Sequence, residues 1–149
     1  MTPHPPSILL VEDNADEADL TRIALARYGQ GNHVEHVSDG QQALDYLFRR
    51  GRYAGRTGTD PQVVLLDLKM PVRDGFEVLR EVKTSAHLKH TPIVVLTSSA
   101  EPADLQRAYA SGSNAYVAKP TDFADFLGAM KQVCDFWLRT NRTASHPTH

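Results

Sequence analysis

Ile8-Leu9-Leu10-Val11 runs directly into Glu12-Asp13, and Val63-Val64-Leu65-Leu66 runs directly into Asp67. Two more short runs repeat the pattern: Ile93-Val94-Val95-Leu96 ends in Thr97, and Ala115-Tyr116-Val117-Ala118 ends in Lys119-Pro120. Unbroken apolar runs of this length suit strands covered on both faces of a parallel sheet. In such sheets function gathers at the carboxyl ends of the strands. Three carboxylates, a hydroxyl and an ammonium are therefore expected along one edge of the molecule.

Helical segments lie between the runs. Asn14 or Asp13 can cap a first helix that carries Leu20, Ile23, Ala24 and Tyr28 inward. His33 to Val37 alternates apolar and polar residues and reads as a short second strand. Asp39-Gly40 turns the chain into a helix with Ala43, Leu44, Leu47 and Phe48 on one face. Gly51 to Pro61, rich in glycine and arginine and without period, reads as an exposed loop. Asp74-Gly75 opens a helix with Phe76, Leu79 and Val82. Ser99 can cap a short helix with Pro102 in its first turn; Leu105, Ala108 and Tyr109 would face inward, and Ser111-Gly112 would end it. Asp122 starts a last long helix striped by Phe123, Phe126, Leu127, Met130, Val133, Cys134 and Trp137.

Five strands alternating with five helices predict an α/β fold, a flavodoxin-like, doubly wound, five-stranded parallel sheet of order 2-1-3-4-5. That order makes strands one and three neighbours, so Glu12-Asp13 and Asp67 would sit side by side at the switch point. Residues 1–149 read as a single domain with its core at about 7–139, and Thr140 to His149 as a polar tail expected to fray.

The bulk properties narrow the classes. A chain of 149 residues can bury one real core. Its net charge of −2 gives no electrostatic pull toward nucleic acid or membrane. No apolar stretch approaches the roughly 20 residues of a membrane span. Met1 to Pro6 lacks the pattern of a signal peptide, so a cytoplasmic location is expected. The one cysteine, Cys134, excludes an intramolecular disulfide and reads as a small apolar residue. His36, His87 and His90 have no ligand-like spacing and read as surface or loop residues; His146 and His149 lie in the tail.

Three clustered carboxylates need a counter-charge. A hard divalent cation supplies it, and Mg²⁺, with Mn²⁺ as a substitute, prefers oxygen ligands and keeps several waters. Asp13 and Asp67 are the natural direct ligands, Glu12 binds directly or through water, and the Lys69 backbone carbonyl can complete the protein share. Asp67 is also a candidate nucleophile, because carboxylates form aspartyl-phosphates. Positioning and charge neutralisation are most of phosphoryl-transfer catalysis. Lys119 can hold one phosphoryl oxygen as a point charge, and the Thr97 hydroxyl another. Taken singly, Glu12-Asp13 could be a helix-cap pair, Thr97 a strand-end cap and Lys119 a solvated lysine. Their joint placement at adjacent strand ends argues for a site.

These motifs, together with Leu66-Asp67-Leu68-Lys69-Met70-Pro71, Val95-Leu96-Thr97-Ser98 and Gly112 through Tyr116 to Pro120, resemble the receiver domain of a two-component response regulator. The resemblance covers Ser7 to about Trp137. It implies that Asp67 is the phospho-acceptor and Glu12 and Asp13 the metal carboxylates. It further implies that Thr97 is the switch hydroxyl, Lys119 the phosphate-binding lysine and Tyr116 the aromatic that moves with the hydroxyl. A cis bond before Pro120 also belongs to the resemblance. Such a protein is not an enzyme in the ordinary sense, catalysing only its own phosphotransfer and dephosphorylation. A narrower resemblance rests on Val11-Glu12-Asp13-Asn14, on Tyr46-Leu47 before the glycine-rich loop, and on Asp135-Phe136-Trp137-Leu138. It is to single-domain regulators partnered with phytochrome-type histidine kinases.

Other classes fit less well. A haloacid-dehalogenase-like phosphatase needs a second Asp where Lys69 stands. A flavodoxin-like cofactor binder would not place Glu12-Asp13-Asn14-Ala15-Asp16-Glu17 against a phosphate. An unphosphorylated receiver-like interaction module, or a phosphate sink or relay, stays open beside the phospho-accepting regulator. In the last helix Phe136, Trp137 and Leu138 are consecutive, and one face cannot bury all three. Phe136 is expected at the border of the charged face. With the receiver habit of pairing through the fourth helix, fifth strand and fifth helix, this predicts a homodimer in which Phe136 and the edge of Trp137 cross the two-fold axis.

Overall fold

The computed structural model describes residues 7–29 and 31–142. Met1 to Pro6 and the tail beyond Arg142, with His146 and His149, lie outside the described residues, and so do the expectations stated for them. The strands are β1 (Ser7–Val11), β2 (His33–Val37), β3 (Val63–Leu66), β4 (Ile93–Thr97) and β5 (Ala115–Ala118). The helices are α1 (Ala15–Tyr28), α2 (Gly40–Phe48), α3 (Gly75–Lys83), α4 (Pro102–Ala110) and α5 (Phe123–Cys134). The sheet is parallel, in the order β2-β1-β3-β4-β5, as the alternation of runs and helices predicts.

The strand period of two divides the core. Leu9 and Val11 face a cluster with Leu44, Leu47, Phe76 and Leu79. Ile8 and Leu10 face a second cluster with Leu25, Phe126 and Met130. α2, α3 and α4 thus cover one face, and α1 and α5 the other. β3 and β4 are buried throughout, whereas β5 is only half-buried because it is an edge strand with β4 on one side alone.

Four helices start on an Asn or Asp whose side chain accepts from the backbone N–H three residues on: Asn14, Asp39, Asp74 and Asp122. Each cap satisfies one orphan donor and fixes where the helix leaves its strand. α4 differs. Its N-cap is Glu101, with no side-chain cap bond, and not Ser99. The Ser99 hydroxyl instead donates to Asp104 Oδ2 at 2.6 Å.

Three helix faces depart from expectation. α1 buries Ala18, Thr21, Ala24 and Leu25, leaving Leu20 42% and Ile23 56% exposed. Small residues at 18, 21 and 24 form the surface that lies on the sheet, so the larger side chains one position away are turned out. α4 buries only Ala108, and Leu105 and Tyr109 are exposed. Phe123 opens α5 and is exposed as well; it lines a cavity of about 250 Å³ with Leu20 and Lys119. Gly51 to Pro61 is more ordered than an open loop: Gly51–Tyr53 form a 3₁₀ turn, and Arg56 is held against Tyr46.

After Cys134 the chain widens into a π-helical turn, Asp135–Thr140. Trp137 and Leu138 pack on the second cluster and Phe136 is 46% exposed. The Phe136 and Trp137 rings meet edge-on at 4.9 Å.

Candidate functional site

The ladders of the sheet carry through to the reactive residues. Glu12 N–H donates to Val37 O at 3.1 Å, Asp67 N–H to Val11 O at 3.0 Å, and Lys119 N–H to Thr97 O at 2.7 Å. Each functional backbone is thereby fixed to the neighbouring strand. Glu12, Asp13 and Asp67 converge, with ligand oxygens within 4.8 Å of one another. Glu12 is buried, Asp67 half-buried and Asp13 exposed, so the cluster grades from the interior to the surface.

Lys119 reaches the same cluster from β5. Its Nζ contacts Glu12 Oε1 and also donates to Glu17 Oε1 at 2.8 Å. Burial is the main influence on Glu12 and pushes its carboxyl up to about 7, against the pull of Lys119. Burial pulls the Lys119 ammonium down, but its bonds to Glu12 and Glu17 outweigh that and raise it. One buried ammonium for three carboxylates leaves the cluster short of positive charge. An all-oxygen donor set in that condition fits a hard divalent cation.

Thr97 is fully buried, and its hydroxyl oxygen lies 3.4 Å from Ser99 N. Ser99 links the site outward. Its carbonyl accepts from Tyr116 OH at 2.8 Å, and its hydroxyl bond to Asp104 holds that carboxyl below the usual range. Asp104 lies 3.5 Å from Lys69 Nζ. Lys69 lines a groove with Asp13, next to Met70 and Pro71. Of the other expected site residues, Lys119 reaches the acidic cluster itself, Thr97 ends the strand next to β3, and Tyr116 meets the backbone just past Thr97 at Ser99. Phe136 and Trp137 belong to the far turn after α5.

The loop after Asp67 is tight. Gly75 sits where a Cβ would meet Asp67 O at 2.5 Å, so only glycine lets α3 begin this close to the end of β3. Val72 has φ +68°, and Arg73 N–H donates back to Pro71 O at 2.8 Å, closing a γ-turn. The described residues contain no cis peptide bond, so the cis bond expected before Pro120 is trans. Sequence reasoning missed Glu17 and His36. His36 is half-buried in β2 and not in a loop: its Nε2 lies 2.8 Å from Glu12 O, which braces the backbone of that carboxylate's residue. Glu17 stands at the third position of α1, three after the Asn14 cap, where an acidic residue usually signals only helix capping.

A parallel α/β sheet with an acidic triad, a lysine and a threonine on adjacent strand ends defines a receiver-type site, and the chain belongs to the response regulator receiver domain family, which matches residues 8–131. The probable methanogenesis regulatory protein FilR2 of Methanothrix harundinacea is 43% identical, covering 91% of this chain and 86% of FilR2. The phosphorylated cyanobacterial phytochrome response regulator RcpA superposes with a TM-score of 0.88 at 36% identity, over 95% of this chain and 99% of RcpA. The bacteriophytochrome response regulator AtBRR is 46% identical with a TM-score of 0.76, over 99% and 100%. The Mn²⁺-bound form of the response regulator Rcp1 is 33% identical with a TM-score of 0.87, over 95% and 100%. The chain is thus related to phytochrome response regulators. Among its described residues, no helix is long and apolar enough to cross a membrane.

Proposed function

We propose that this protein is a response regulator that accepts a phosphoryl group on Asp67 from a sensor histidine kinase and signals by binding other proteins. The observation that carries this reading is the convergence of Glu12, Asp13 and Asp67 within 4.8 Å, with Lys119 reaching in from β5.

A carboxylate oxygen of Asp67 attacks the phosphorus of a phosphohistidine. The P–O bond forms as the P–N bond breaks, and the electron pair of that bond leaves with the imidazole nitrogen. Mg²⁺, or Mn²⁺ in its place, would be held by Glu12, Asp13, Asp67 and the Lys69 carbonyl, and supplies charge neutralisation for the transferring group. Lys119 exchanges a carboxylate oxygen for a phosphoryl oxygen and anchors the new dianion. The Thr97 hydroxyl donates to another oxygen. That draws Thr97 away from Ser99, and Ser99 carries the change to Tyr116 and Asp104.

The exposed Leu20 and Phe123 border Lys119, and Ile23 is exposed a turn further along α1; this apolar surface suits a helical phosphodonor approaching Asp67. The likeness to RcpA and AtBRR supports a phytochrome-type kinase as that donor. On the other side, the exposed Leu105 and Tyr109 of α4, the half-exposed β5 edge and Phe136 with the edge of Trp137 support a homodimer through α4, β5 and α5. A wild-type chain that stays monomeric by light scattering at high micromolar concentration, with and without phosphorylation, overturns the dimer.

Mass spectrometry after treatment with acetyl phosphate and Mg²⁺ tests the chemistry. One phosphoryl adduct is expected on the wild type and none on Asp67→Asn. An adduct of equal yield on Asp67→Asn, or one formed equally in chelator, refutes the reading. Phosphotransfer profiling against purified histidine kinases then identifies the donor.

A further inference from the structure

The loop between α2 and β3 takes no part in that chemistry, yet it borders a groove open to solvent with a volume of about 540 Å³. This is within the roughly 300–1,000 Å³ of small-molecule sites. It lies where β2 begins and α2 ends, at the opposite end of the strands from Asp67.

Two arginines build the loop. Arg49 donates to the carbonyls of Arg56 at 2.6 Å and Gly58 at 2.7 Å. Arg56 donates to the carbonyls of Tyr46 at 2.9 Å and Thr59 at 3.3 Å. Three of the loop's carbonyls, those of Arg56, Gly58 and Thr59, are thus taken by arginines. Its N–H groups at Gly55, Thr57, Gly58 and Thr59 donate to no acceptor among the described residues.

Two further donors line the groove. Tyr46 is only 7% exposed, with Arg56 over its face at 4.2 Å and Tyr53 edge-on at 5.1 Å. Its hydroxyl has no hydrogen-bond partner among the described residues. Arg52 lies over the Tyr53 ring at 4.8 Å and donates to the Tyr53 hydroxyl at 2.8 Å, with no carboxylate partner among the described residues. The strand side adds Glu35 as an acceptor.

We propose that this groove binds a small phosphorylated molecule of nucleotide type. The Arg52 guanidinium, with no carboxylate partner among the described residues, and the open N–H groups of Gly55, Thr57, Gly58 and Thr59 can together hold an anion. Tyr46 and Tyr53 offer aromatic surface to a planar ring. Glu35 can accept from a sugar hydroxyl or an exocyclic amine. Inorganic phosphate would use only the donors, so a nucleoside monophosphate binds more tightly.

The test titrates AMP, GMP and inorganic phosphate, each separately, into the ¹⁵N-labelled full chain carrying Asp67→Asn, in chelator, so that the acidic edge contributes nothing. Saturable shifts confined to residues 33–35, 46 and 51–59 are expected with at least one nucleotide. Arg52→Ala and Tyr46→Phe should each weaken that binding roughly tenfold, the size of a lost charge-assisted hydrogen bond. Tyr46→Phe keeps the ring and removes an unbonded hydroxyl, so its melting temperature should match the parent. Absence of saturable shifts at millimolar nucleotide, shifts placed at the strand carboxyl ends, or unchanged affinity in both variants overturns the site. Phosphate binding as tightly as both nucleotides overturns the ligand class.

Discussion

Replacing Val72 should make this protein more stable. A non-glycine residue held in a sparsely populated positive-φ conformation costs about 1–3 kcal/mol, and the centre of a γ-turn with positive φ is such a position. Val72 holds φ +68° and is 74% exposed, so its side chain gives little burial in return. Glycine removes the strain but adds about 0.5–1 kcal/mol of unfolded-state entropy. Asparagine tolerates the conformation without that entropy cost. Val72→Asn is therefore expected to gain about 1 kcal/mol, and Val72→Gly somewhat less. For a domain of this size that is a rise in melting temperature of roughly 3–4 °C. Urea unfolding of the three proteins, followed by circular dichroism, measures it, with the slope against urea unchanged. The Arg73 to Pro71 bond is backbone-only and survives either replacement. A Val72→Asn protein no more stable than wild type refutes the claim that this γ-turn stores strain.

Glu12 is raised from 4.5 to about 7 on folding, so the fold binds its proton more tightly than the unfolded chain does. Its contribution is full below pH 4.5 and lost as pH rises through 7, up to about 3 kcal/mol. Melting temperature in chelator should fall across that window, and either Mg²⁺ or Glu12→Gln should flatten the fall. Gly40→Ala should destabilise by more than about 2 kcal/mol, because the new Cβ would meet the Arg73 carbonyl oxygen, a backbone atom that cannot swing away. Chemical denaturation measures that cost. Tyr116→Phe loses the bond to Ser99 and should cost about 1 kcal/mol in the same assay while leaving phosphoryl uptake by Asp67 intact.

The strands were legible because Val63–Leu66 and Ile93–Thr97 are buried on both faces, so burial and apolar sequence coincide residue by residue. The caps at Asp39, Asp74 and Asp122 were legible for a local reason too, since donor and acceptor lie three residues apart. The face of α1 was not. Ala18, Thr21 and Ala24 carry a weak hydrophobic signal, and Leu20 and Ile23 a strong one that belongs to the outer surface. Ser99 looked like a cap because serine often is one, but Asp104 captured its hydroxyl. The partners of Lys119 in α1 and of His36 at the end of β1 are contacts across the fold, and no local pattern announces them. The arginine clamp of the α2–β3 loop was hidden likewise, because its acceptors are backbone carbonyls that any sequence possesses.

The hydrogen bonds that tie Glu12, Asp67 and Lys119 to the next strand bear on how the protein fails. Amides within a central ladder exchange with solvent only when the whole sheet opens, whereas loops and frayed ends exchange locally. The N–H of Asp67 is bonded to Val11 O at the carboxyl end of that ladder. A partly melted molecule that has lost a loop or a helix end keeps Asp67 in register. One that has lost the register of Asp67 has lost the β1–β3 pairing, and with it both core clusters. Under the function proposed above, phosphoryl uptake by a population of these molecules would count intact sheets, and damaged copies would take up none.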